Sequence, residues 1–172
     1  IPVITTATDI NHRFTADEWA KNPGLSIASM QAAKRFAAEI LRKDVPVYSD
    51  LPIEGKLTGG LFRGDQGKNG LVISCRRIEM FDDPLVLIPQ ILHLGIGCKR
   101  GTPKEKIREV VLKVVEAQGI YIKAIADVSS IDVKQDETGL LDFCSGWKLP
   151  VRFYSADELQ AVKGDFSASE FV

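Results

Sequence analysis

Apolar residues recur at intervals of three and four over 30–43, where Ala33, Phe36, Ala37, Ile40 and Leu41 share one side. This spacing predicts a helix, with Ser29 as its N-cap. The same period over 103–117 sets Ile107, Val110, Val111, Val114 and Val115 on one face, and Gln118-Gly119 supplies the stop. Shorter helices are expected over 138–147, after the capping box Thr15-Ala16-Asp17-Glu18 with Phe14 as its staple, and after the box Ser155-Ala156-Asp157-Glu158 toward Val162. Between them lie short β-branched or apolar runs, at 2–8, 45–48, 71–75, 85–88, 91–97, 125–133 and 150–154. The glycines at 55, 59, 60, 64, 67 and 70 predict a hairpin or an open loop. Pro84 and Pro89 bracket the 85–88 run, which therefore reads as an edge strand or a linker.

Strands alternate with helices in both halves, the pattern of an α/β protein with parallel or mixed sheets. The boundary is expected near Pro89, giving regions 1–88 and 89–172. The 172 residues are 45% apolar and 26% charged, the balance of a soluble globular chain. A net charge of −1 gives no field to attract nucleic acid or an anionic membrane. No apolar run approaches the ~20 residues of a membrane span. Cys75, Cys98 and Cys144 are scattered and odd in number, which points to a reducing compartment, so the cytoplasm is expected. The chain starts at Ile1, and the capping spacing of Ser167 and Glu170 lies against its end, so a piece of a longer protein is expected.

The stretch LGIGCKRGTPKEKI, 94–107, carries the most chemistry. An apolar strand passes through Gly95, Gly97, Cys98, Lys99, Arg100 and Gly101 into Thr102, read as an N-cap with Pro103 at the first helical position and Glu105 completing a capping box. Free N–H groups and the positive end of a helix dipole gather at such a junction, and two cations stand beside them. This is the design of a site for phosphate or carboxylate. The spacing GxGxxxG is neither a dinucleotide fingerprint nor a P-loop. Spacing alone leaves a second reading open, in which Gly95 and Gly97 allow close helix–strand packing and Gly101 serves the turn.

A second constellation, SSIDVKQDETGLL, follows the next strand and precedes the next helix. With parallel strands it falls on the same sheet edge as the glycine loop. Ser130, Asp132, Lys134, Asp136 and Glu137 there offer hydroxyl, acids and a cation that could orient or protonate a ligand, or they form a solvated turn with an acidic cap. A third stretch, TTATDINH, puts His12 in a loop, as a base or within a simple turn. His93, inside an apolar strand, reads as a core residue. Cys98 reads as packing before it reads as a nucleophile. With two histidines far apart, a zinc site is not expected.

Five stretches in this order resemble the CbiG family of cobalamin biosynthesis, the cobalt-precorrin-5A hydrolases: IPVITTATDIN with ADEWA, AAKRFAAEIL, LHLGIGCKRGTPKEKI, SIDVKQDETGLL, and LPVRFYSADEL. The C-terminal region alone resembles the smaller CobE proteins. The resemblance implies two small α/β regions, the middle region truncated at its start and a C-terminal region truncated at its end, the latter a three-layer α/β/α sandwich with a mixed sheet. Family members also carry an N-terminal GHxGGAN-type stretch, which this sequence does not contain. The implied reaction opens the ring-A δ-lactone of a cobalt-carrying corrinoid precursor and releases the former meso carbon with its methyl as acetaldehyde. Water must attack the lactone carbonyl, so Asp132 or Glu137 is expected to act as base, with Gly95, Gly97, Cys98, Lys99, Arg100, Gly101, Thr102, Ser130 and Lys134 binding substrate. The cobalt arrives in the substrate, so no protein cofactor or metal is expected. The expected partner is a small tetrapyrrole, with no nucleic acid or membrane and with a homodimer left open. A non-catalytic corrinoid carrier and a nucleotide-binding α/β domain are the competing readings.

Overall fold

In a computed structural model, residues 13–16, 19 and 24–164 are described. The strand expected over 2–8, His12, the Thr15–Glu18 capping box as a whole and the Ser167–Glu170 spacing lie outside them. The chain forms two compact units, one from residues up to Leu92 with Lys113–Ala126, the other from His93–Leu112 with the residues from Asp127 onward. Both are α/β.

The first unit is built on β1 (Leu25–Ile27), α1 (Met30–Ile40), β2 (Val45–Ser49), β3 (Leu61–Arg63), β4 (Asn69–Ile73) and β5 (Asp83–Pro89). Its sheet has the order β1-β5-β4-β2-β3. β1 runs antiparallel to β5, and the remaining pairs are parallel, so the sheet is mixed. Helix α1 begins as its sequence predicts, with the Ser29 hydroxyl accepting the Ala32 N–H at 3.3 Å. It buries Ala33, Phe36 and Ile40 with Val45, Val47, Leu71, Leu85 and Leu87. The opposite pleat of β4 and β5 sends Val72, Val86 and Ile88 into a second cluster with Cys75, Phe81 and Ala124. Such alternation is what a strand buried on both faces requires.

Two expectations are corrected here. The glycine-rich stretch is no hairpin, because β3 and β4 lie on opposite sides of β2 and both run parallel to it. The 85–88 run is neither edge nor linker: β5 sits between β1 and β4, and Leu85 to Pro89 are buried. Its prolines stand at the second and the last position of the strand, near its two ends.

The second unit contains β6 (Leu92–Gly95), the first part of α2 (Lys104–Ala117), β7 (Ile125–Ile131), α3 (Thr138–Trp147), β8 (Val151–Tyr154) and α4 (Ala156–Gln160). The sheet order is β6-β7-β8, with β7 and β8 parallel and Val128 opposite Val151. On α2 the buried stripe is Ile107, Val111 and Val115, while Val110 and Val114 are exposed. The face is thus narrower than the apolar spacing predicts. α3 has the predicted bounds, and it ends on Lys148 in the left-handed region (φ 55°). The Ser155–Glu158 capping box is formed on α4 as predicted.

Candidate functional site

The two loops singled out in the sequence meet in the second unit. The loop after β6 is held to β7 by the Ile96 N–H on the Ser129 carbonyl at 2.9 Å and by the Ser130 hydroxyl on the Ile96 carbonyl at 2.7 Å. Ser130 is buried and serves the loop's conformation. A short 3₁₀ turn over Asp132–Lys134 follows β7 and leads to α3. Arg100 reaches across to this turn, donating to Asp136 Oδ2 at 3.0 Å and to the Val133 carbonyl at 3.3 Å. The Gly101 N–H donates to Glu137 Oε1 at 2.7 Å.

The expected open anion mouth is therefore occupied from within. Glu137, with 4% of its side chain exposed, closes on Gly101 with one oxygen, and its other oxygen lies 3.7 Å from Lys134 Nζ and accepts no hydrogen bond among the described residues. Thr102 is corrected as well: its hydroxyl donates to the Lys99 carbonyl at 2.7 Å, stitching the turn. Helix α2 starts one residue beyond Pro103, whose carbonyl accepts from Lys106 and Ile107. Gly139 explains how tightly the junction is shut, since a Cβ there would lie 2.0 Å from the Thr102 carbonyl oxygen.

Other groups remain available. The carboxylate of Asp132 and the ammonium of Lys99 make no hydrogen bond or ion pair among the described residues, and Lys99 is exposed. The Arg100–Asp136 pair is 65% and 64% exposed. The guanidinium holds the Asp136 carboxyl below its ordinary range, chiefly by hydrogen bonding. An exposed pair of this kind is worth little and exchanges readily with a competing carboxylate. Two clefts adjoin the junction, of about 320 Å³ against Gly101, Thr102 and Glu137 and about 350 Å³ between Lys104, Arg108, Asp142 and Trp147.

Gly101 has φ 77° and is required by the turn. Gly95 and Gly97 are different: neither has a positive φ, and an added Cβ would meet nothing within 4 Å. Close helix–strand packing is thus not their reason. Cys98 is half-buried and free. His93 is the clearest miss of the sequence reading. It is no core residue: its side chain is 67% exposed, and Nδ1 lies 2.7 Å from Oδ1 of Asp127, a carboxylate only 7% exposed. The signal was present in the alternation of Leu92, Leu94 and Ile96 with His93, Gly95 and Gly97, because period two puts the second set on one side of an extended segment.

Among the described residues no group of three or more His, Cys, Asp or Glu could hold a metal ion, and no helix is long and apolar enough to cross a membrane.

Residues 92–172 match the family model described as cobalamin synthesis G C-terminus. Over 185 aligned residues the chain is 26% identical to a cobalt-precorrin-5A hydrolase of Salmonella typhimurium, covering 99% of this chain and 53% of that protein. It is 30% identical over 70 residues to protein CobE of a Sinorhizobium species, covering 41% of this chain and 46% of that one. A crystal structure of a cobalamin biosynthesis protein G homologue from Sulfolobus solfataricus aligns with 95% of this chain and 48% of that one, at 18% identity and a TM-score of 0.39. The chain spans about half the length of the cobalt-precorrin-5A hydrolases it matches. Residues 92–172 are thus similar to the C-terminal region of the CbiG family, and the alignment with the cobalt-precorrin-5A hydrolases runs over nearly the whole chain.

Proposed function

We propose that this chain acts in cobalamin biosynthesis on cobalt-precorrin-5A, opening its ring-A δ-lactone and releasing acetaldehyde to give cobalt-precorrin-5B. The carrying observation is the meeting of the two loops, in which Arg100 of the first reaches Asp136 and the Val133 carbonyl of the second, the residue next to Asp132, whose carboxylate has no partner among the described residues. The substrate's peripheral acetates and propionates are matched by those two cations, Arg100 giving up Asp136 for a substrate carboxylate. Asp132 takes the proton of the water that attacks the lactone carbonyl. Glu137 holds the loop in place through Gly101 and is the poorer base, its free oxygen being shut away from solvent. The cobalt is part of the substrate, and no step requires a metal of the protein.

The test is to mix the chain with the lactone-bearing cobalt corrinoid and assay acetaldehyde. Release that falls about 10²-fold or more in D132N, with binding kept, supports the reading. A second reading, a carrier of corrinoid intermediates, is favoured by the match to CobE. Spectral binding without acetaldehyde would establish that one and reject the hydrolase.

A further inference from the structure

The cluster His93–Asp127–Arg152 shares no hydrogen bond or ion pair with the two loops among the described residues. Its members stand side by side on β6, β7 and β8, in the same unit. The buried Asp127 carboxylate accepts the Nδ1–H of His93 on one oxygen and has Arg152 at 3.7 Å from the other. A carboxylate on Nδ1 fixes the imidazole tautomer and leaves the lone pair on Nε2. That nitrogen belongs to an exposed ring and makes no hydrogen bond among the described residues. A histidine oriented in this way is arranged to ligate a metal.

One imidazole is not a metal site by itself. A corrinoid cobalt, however, brings four equatorial nitrogens of its own and lacks only axial ligands. We propose that Nε2 of His93 is an axial ligand to the cobalt of the bound corrinoid, oriented by Asp127, a role that rests on the reading of this chain as a protein acting on cobalt corrinoids.

The surroundings suit a broad, flat ligand on this side of β6. Gly95, roughly 7 Å further along the strand, and Gly97 beyond it present bare backbone, so no side chain there meets a macrocycle that overhangs the imidazole. Arg152, 66% exposed and only loosely paired, is free to take one of the peripheral carboxylates.

The test uses the cobalt(II) form of cobyrinic acid, a corrinoid with free peripheral carboxylates, and electron paramagnetic resonance. An axial nitrogen splits each line of the low-spin cobalt(II) signal into three, and nitrogen-15 histidine in the protein turns three into two. The splitting is expected in the wild type and in H12Q, and its loss is expected in H93Q, a change at an exposed side chain. D127N should weaken binding about 10–100-fold while retaining the splitting at saturation. A wild-type spectrum with oxygen as the axial ligand, or splitting that survives H93Q, overturns the inference. Acetaldehyde release is untouched by that failure. Equally, nitrogen ligation without acetaldehyde would leave His93 in place and reject the hydrolase.

Discussion

The backbone N–H of Gly101 donates to Oε1 of Glu137 at 2.7 Å, tying the loop that leaves β6 to the residue that opens α3. A buried carboxylate thus satisfies a loop N–H across 36 residues of sequence. E137A removes the acceptor and leaves both the Gly101 N–H and the half-buried Lys134 without a partner. The expected cost is about 1–3 kcal/mol in urea unfolding, and E137Q, which keeps an acceptor oxygen, should lose less. Equal stability of wild type and E137A would show that the bond carries no weight.

The glycines of the two loops separate by what surrounds them. At Gly139 a methyl group would meet the Thr102 carbonyl oxygen at 2.0 Å, and backbone cannot step aside cheaply. G139A should therefore destabilise the unit by about 1–3 kcal/mol, as overpacking does. At Gly95 and Gly97 a methyl group meets nothing, so G95A and G97A should stay within about 0.5 kcal/mol of wild type. Thermal unfolding of the three variants decides the matter, and a stable G139A would contradict the close approach seen here.

Local signals were legible in the sequence, and pairings between distant segments were not. The bounds of α3, the Ser29 cap and the Ser155–Glu158 box all follow from residues within one or two turns of each other. The place of β5 inside the sheet depends on β1 and β4, to which its own prolines give no clue. Both loops of the site were named from their residue types, and the 36-residue spacing of Arg100–Asp136 and of Gly101–Glu137 shows why their internal closure was missed: each partner looks free when its own loop is read alone. His93 follows the strand's period of two, which sets it on the exposed side although its neighbours are apolar.

In the first unit, Arg35 on α1 makes a two-pronged contact with Asp83 at the start of β5, at 2.7 and 2.6 Å. Hydrogen bonding from the guanidinium holds the Asp83 carboxyl below its ordinary value. A carboxyl lowered by folding adds stability above its unfolded pKa, and that stability is lost as pH falls through the folded one. R35M should therefore lower Tm at neutral pH and flatten its decline on acidification, with both effects small because the pair is exposed and screened by salt. Tm curves for wild type and R35M that run parallel from neutral to acid pH would exclude the linkage.

Arg100 and Asp136 make opposite predictions for ligand binding. Asp136 occupies the guanidinium that the proposed substrate needs, so a peripheral carboxylate must displace it. R100A removes the cation and should weaken binding of cobyrinic acid and reduce its salt dependence, since each lost charge contact lowers the sensitivity to ionic strength. D136N leaves the cation and removes its competitor, so binding at low salt should tighten by a few-fold, the scale of an exposed ion pair. Neither change should disturb the fold, because both side chains stand largely in solvent. Spectral titration at low and high salt reads both effects. If R100A and D136N shift affinity in the same direction, the pair acts only to shape the loop, and Arg100 does not exchange its partner for substrate.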